Sequence, residues 1–192
     1  MQKFVTNGQI DFVGAGRELR LATPRDLRLP DSGVPIPGDL AVQEGDKARP
    51  DGKTVGSDHV REIIRDAFSG KLHPTWSLHL GDERYYLPTL LEVQQVLSTS
   101  TLKRRRWILE RHDCDDFAYI LRAFFSSISY INDELEVGLC CGMIWGEFDW
   151  LEGFHACNWV ITDDMTLRLI EPQRDTLYLS TACQGSVTFM AA

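Results

Sequence analysis

No run of apolar residues in this chain approaches the length that crosses a bilayer, and positive charge is scarce: 20 Lys and Arg stand against 28 Asp and Glu, a net charge of −8. The first absence argues against a membrane-spanning helix. The second argues against non-specific nucleic-acid binding, because the phosphate backbone is bound by a basic surface. There is no internal repeat and no low-complexity tract. Residues 1–8 hold no apolar core of a secretory signal, so a cytoplasmic location is expected. Cysteine is also sparse. The five residues Cys114, Cys140, Cys141, Cys157 and Cys183 are odd in number, include an adjacent pair and lack zinc-finger spacing. That pattern argues against both a disulfide scaffold and a zinc site. Cys140, Cys141 and Cys157 lie in apolar surroundings and read as small core residues.

At 192 residues and 43% apolar content the chain has material for one domain plus an appendage. Residues 1–56 form a Pro/Gly-rich N-terminal arm, punctuated by Pro24, Pro30, Pro35, Pro37 and Pro50, that reads as extended loops with a few short strands. Residues 57–192 read as the catalytic domain. Ser57 and Asp58 can cap a helix through Val60, Ile63, Ile64 and Phe68, stopped at Gly70. Pro88 suits the first turn of a second helix carrying Leu90, Leu91, Val93, Val96 and Leu97. Asp113 is a good N-cap for a third helix, with Asp116 in a capping-box position. On that helix Cys114, Phe117, Leu121, Phe124 and Ile128 share one stripe. Strands are then expected at 136–144, 154–162, 167–171 and 176–180. Helices followed by strands predict an α+β fold with an antiparallel sheet.

The chemistry concentrates in three places. Cys114 opens a helix after the polar run Arg111-His112-Asp113. His155 and Glu171 follow on strand-like segments, with Gln173 two residues beyond. A helix N-terminus and an imidazolium favour thiolate over thiol, and a third polar group orients the imidazole. That order, Cys then His then acid, is the order of papain-like cysteine hydrolases. His155 and Glu171 share a face only if the hairpin at Asp163-Asp164 has an odd-length loop or a bulge; a three-residue loop places Glu171 diagonal to His155 and Gln173 opposite it. His112, two residues before the thiol, is a poorer base because it must reach around the cap. Asp115 and Asp116 beside the sulfur raise its pKa by repulsion. They serve either the positive helix end or a hard divalent cation that neutralises them. The run Lys103-Arg104-Arg105-Arg106 reads as a solvated basic face, and Trp107 after it as a rim aromatic or an indole N–H donor to an oxyanion.

Trp107, then Cys114-Asp115-Asp116, then His155, then Glu171 with Gln173 together resemble the C-terminal cysteine-protease domain of the Marasmius oreades agglutinin family, over residues 57–185. The resemblance implies a papain-like fold, calcium activation and a triad of Cys114, His155 and Glu171. It further implies Trp107 and Gln173 at the oxyanion or substrate, and Asp115 and Asp116 as calcium ligands. In place of the family's β-trefoil lectin domain stands the short arm, so carbohydrate binding is not carried over.

The leading expectation is a calcium-dependent cysteine peptidase acting on a protein or peptide, with no nucleic-acid or membrane partner. A transglutaminase-like acyl transferase would use the same triad. A non-catalytic interaction module, docked onto a protein partner or a second copy by the N-terminal arm, is the third reading.

Overall fold

The computed structural model describes residues 52–132 and 135–192, together with two short strands near the start of the chain. Those two strands, β1 (Phe4–Thr6) and β2 (Gln9–Asp11), pair antiparallel with Val5 opposite Ile10, within a compact unit spanning Met1–Val42. The proline-punctuated stretch of the arm lies outside the described residues. The second unit spans Gln43–Ala192. It opens with β3 (Lys53–Gly56), α1 (Ser57–Ala67), β4 (Leu72–His79), β5 (Arg84–Leu87) and α2 (Leu90–Thr99). It continues with α3 (Cys114–Ile131), β6 (Cys141–Phe148), β7 (Leu151–Ile161), β8 (Leu167–Glu171), β9 (Thr176–Leu179) and β10 (Cys183–Ala191). Among the described residues no helix is long and apolar enough to cross a membrane.

The main sheet has six strands in the order β4-β10-β6-β7-β8-β9, and β3 with β5 forms a separate antiparallel pair. Strand β7 is buried without a break from His155 to Ile161, because helices cover both faces of the sheet. On one face Trp159, Ile161 and Leu169 pack with Val60, Ile64 and Phe68 of the α1 region. On the other, Val160 and Ile170 pack with Val93 and Leu97 of α2 and with Phe117, Leu121 and Phe125 of α3. Two-sided burial explains why β7 reads as a continuous apolar run in place of the alternation of a half-exposed strand.

This architecture corrects the expected papain-like arrangement of helices followed by an antiparallel sheet. Strands and helices interleave from β3 onward, strand residues outnumber helical ones, and the sheet is mixed, with β4 running parallel to β10. The parallel strand escapes a sequence reading because it holds Pro74, which breaks a central strand. It sits at the sheet edge, where its register jumps from Leu72 opposite Val187 to Ser77 opposite Phe189, so residues 73–76 bulge out of the ladder. Smaller corrections follow the same logic. Pro88 precedes α2 and is not in its first turn; Thr89 caps the helix, in a capping box with Glu92. Strand β6 starts later than expected, because residues 138–140 are spent on Tyr86: its N–H donates to the Gly138 carbonyl, and its carbonyl accepts from the Cys140 N–H. The helical stripe buries Phe125, with Phe124 only half-buried.

At Gly142 the central strands leave no room for a side chain. A Cβ there would stand 1.8 Å from the Ala191 carbonyl oxygen and 2.7 Å from the Trp159 ring, whose own N–H is fixed to the Met143 carbonyl at 3.0 Å. Neither neighbour is the loose end of a side chain. Gly142→Ala is expected to destabilise the domain by about 3 kcal/mol through overpacking, read from urea unfolding. A cost under about 0.5 kcal/mol would mean that the strands separate freely here.

Candidate functional site

Helix α3 begins at Cys114, which is half-buried at the helix mouth. Asp113 is the N-cap, and the Asp116 carboxylate returns to accept from the Asp113 N–H at 3.2 Å. The helix is anchored by a residue that the sequence reading passed over. Asn158, buried on β7, donates from its amide nitrogen to the Ala118 carbonyl of α3 at 2.9 Å and to the Gly142 carbonyl of β6 at 3.1 Å. One side chain therefore ties the cysteine helix to two strands of the sheet. Only the burial of a lone Asn inside an apolar strand pattern signals such a role.

The turn between β7 and β8 meets the geometric condition set by the sequence. Ile161 pairs with Leu167, and the Thr162 N–H donates to the Thr166 carbonyl, leaving Asp163, Asp164 and Met165 as a three-residue loop. Met165 takes the left-handed conformation at φ 60°. Asp164 accepts from Thr162, from the Thr166 N–H and from Arg168, and the Arg168 guanidinium holds its carboxyl well below the usual range. The odd count sets the register so that His155 and Glu171 lie on one face.

There the two meet. His155 Nε2 stands 2.7 Å from Glu171 Oε2, with both residues almost wholly buried. A carboxylate only accepts, so Nε2 carries the proton and Nδ1 is left to exchange one. Glu171 also accepts from the Trp150 indole N–H at 3.3 Å and from the Gln173 backbone N–H at 3.0 Å. Burial pushes its carboxyl up, but the His155, Gln173 and Trp150 contacts outweigh that and hold it below its ordinary value. Trp150, a further residue missed in the sequence, is stacked between Phe148 and Tyr178 at centroid distances of 4.6 and 4.1 Å.

The Cys114 sulfur takes a backbone hydrogen bond from Ala156, the neighbour of His155, across the α3–β7 contact. Burial nonetheless pushes the thiol up; the Ala156 contact opposes this, while Asp113 and Asp115 add to it by repulsion. The acid pair that matters is thus Asp113 with Asp115. Their side chains interact by a hydrogen bond that holds the Asp113 carboxyl below its ordinary value and raises that of Asp115. Ligand atoms of Asp113, Cys114 and Asp115 lie within 4.8 Å of one another. Two adjacent carboxylates are suited to a hard divalent cation, whereas the thiol is a soft ligand that such an ion does not favour. Trp107 lies on the loop before the helix, 46% exposed, and the His112 ring lies tilted against Phe117 with centroids 4.4 Å apart. The other cysteines are core residues. Burial pushes the Cys141 thiol up to about 11 and those of Cys140 and Cys157 well above their usual range.

Iodoacetamide labelling of Cys114 in chelator is therefore expected to rise with pH through a midpoint above the ordinary thiol value of about 8.5. Asp115→Asn, by removing one repelling charge, should move that midpoint down. An unchanged midpoint would show that burial alone sets it.

Residues 85–177 match a family model described as the agglutinin C-terminal domain. No curated protein matches the chain. Among solved structures, the PSL1a–E64 complex is similar at a TM-score of 0.61 and 23% identity, over 72% of this chain and 50% of that one. The Polyporus squamosus lectin bound to the human-type influenza-binding epitope Neu5Acα2-6Galβ1-4GlcNAc is similar at 0.59 and 23%, over 72% and 49%. The chain spans about half the length of each. What these chains share with it is the interleaved, mixed-sheet fold, in place of the papain-like arrangement expected from the sequence. All the positions that carried the resemblance, from Trp107 to Gln173, fall inside the matched segment, and the match over residues 85–177 is consistent with the C-terminal domain of the Marasmius oreades agglutinin family.

Proposed function

We propose that this chain is a cysteine hydrolase acting on peptide or protein substrates, with Cys114 as nucleophile, His155 as base and acid, and Glu171 as the residue that orients the imidazole. The observation that carries the reading is the buried 2.7 Å contact between His155 Nε2 and Glu171, one residue from the backbone group that reaches the Cys114 sulfur. A buried ion-capable pair is costly to keep, and here it leaves Nδ1 as the ring nitrogen not engaged by Glu171. His155 would take the Cys114 proton as sulfur bonds to the carbonyl carbon, then pass it to the departing amine as the C–N bond breaks. Water, deprotonated by the same imidazole, would cleave the thioester to acid and free thiol. The Trp107 indole N–H and the Gln173 side-chain amide are the proposed donors to the oxyanion. Calcium, held by Asp113 and Asp115 with Asp116 beside them, would supply positive charge that favours the thiolate.

A second reading, a non-catalytic interaction module, is favoured by the raised Cys114 thiol and by similarity to a structure named as a lectin. The glycan belongs to that protein, and here the assigned ligand is peptide. One experiment separates the readings: digestion of a peptide library with calcium or with chelator, alongside labelling by iodoacetamide and by the E64 of the PSL1a complex. The hydrolase cleaves peptides and, with calcium, labels at Cys114 faster than a free thiol. Absence of cleavage, with labelling at the rate of a free thiol in both conditions, assigns the module. Product masses showing an amine in place of water would reassign the chain to acyl transfer.

A further inference from the structure

In a chain of net charge −8, residues 103–111 carry five cationic side chains, Lys103, Arg104, Arg105, Arg106 and Arg111, and one acid, Glu110. The segment is held in place at two points. Lys103 pairs with the buried Asp175 carboxylate at 2.9 Å, two residues past Gln173, whose N–H holds Glu171. At its other end, backbone bonds between Ile108 and His112, at 2.8 Å in each direction, close a turn directly ahead of Asp113 and Cys114. Arg104, Arg105 and Arg106 stand between these anchors. All three are exposed, and among the described residues none forms an ion pair. Trp107 follows, half exposed. The basic run is thereby fixed along the rim of the candidate site, between the cysteine helix and the turn that supports the histidine–glutamate pair.

We infer that Arg104, Arg105 and Arg106 form a subsite that selects an acidic segment of the substrate polypeptide. Guanidinium groups bind carboxylates by paired, charge-assisted hydrogen bonds, and a local positive patch on an acidic protein steers an acidic segment to it in preference to neutral surfaces. The inference rests on the proposed reading of the Cys114 region as a substrate site, but its test does not need turnover.

The test is binding of fluorescent peptides, identical except for flanking Glu, Gln or Lys, to the full-length Cys114→Ala chain with calcium present. The acidic peptide should bind roughly tenfold tighter than the Gln peptide at low salt, and that margin should shrink at about 0.5 M salt. Arg104→Glu/Arg105→Glu/Arg106→Glu should remove the margin and leave the Gln peptide within about twofold of its former affinity. Arg106→Gln, too mild to disturb folding, should lose part of it. Equal binding of acidic and Gln peptides would overturn the inference, as would tighter binding of a single-stranded oligonucleotide than of the acidic peptide. If the acidic preference holds while the intact chain neither cleaves nor labels, the subsite stands and the hydrolase reading falls.

Discussion

Cys114→Ala is expected to lower peptide turnover at least roughly a thousandfold, since a nucleophile removed from a triad leaves only the binding and oxyanion contributions. The same variant should fold normally. The side chain is small, half-buried and at a helix end, and the capping of α3 runs through Asp113 and Asp116 rather than through the thiol. Cys157→Ala is the matched control: that residue is fully buried in the core, so its loss should cost about 1–3 kcal/mol and leave turnover per folded molecule unchanged. Turnover by both variants, measured on preparations of equal folded content, distinguishes a reactive sulfur from a packed one. Cleavage retained in the Cys114 variant would move the chemistry to another group.

Glu171→Ala should be the change at the site that costs the most stability. It removes the acceptor of three donors at once, from His155, Trp150 and the Gln173 backbone. Orphaned buried donors carry their full desolvation penalty, so a loss of about 3 kcal/mol in stability is expected, with a fall in turnover of roughly a hundredfold or more. Glu171→Gln keeps the shape and an acceptor but not the charge. It should recover part of the stability and little of the turnover. The pH dependence gives the sign independently. The folded-state pKa of Glu171 lies below its unfolded value, so its contribution is complete above about pH 4.3 and is lost as pH falls through the folded value. Thermal midpoints measured from pH 7 downward should therefore fall more steeply in the wild-type chain than in the Gln variant. Parallel curves would show that the carboxylate carries no special stabilisation.

Much of the geometry of the candidate site was legible in the sequence because its parts depend on local rules. Cys114 is marked by a cap and a helical stripe, and the His155–Glu171 pairing by strand periodicity and turn parity. What escaped depends on contacts distant in the chain. Trp150 and Asn158 acquire their roles from partners on other elements, and neither spacing nor composition points to them. The assignment of Asp115 and Asp116 as the acids nearest the sulfur followed from adjacency in sequence. A helix turns its residues to different sides, and the side chain of Asp116 goes back to the cap while Asp113 joins Asp115. The sheet was misjudged for a related reason. A parallel partner such as β4 is recruited from more than a hundred residues away, and its proline, disqualifying in a central strand, is harmless at an edge.

The three-residue turn of Asp163, Asp164 and Met165 has a hereditary consequence. Its length decides which side of the sheet Glu171 occupies, so inserting or deleting one residue there would carry the carboxylate away from the histidine while leaving both strands intact. A change of two residues, or of one accompanied by a compensating bulge, keeps the pair together. Descendants of this chain can thus vary the turn's amino acids, but its length can drift only by even steps unless a bulge compensates. A loop at the surface, the kind of segment in which insertions are ordinarily tolerated, is here placed under a counting constraint set by chemistry several residues away.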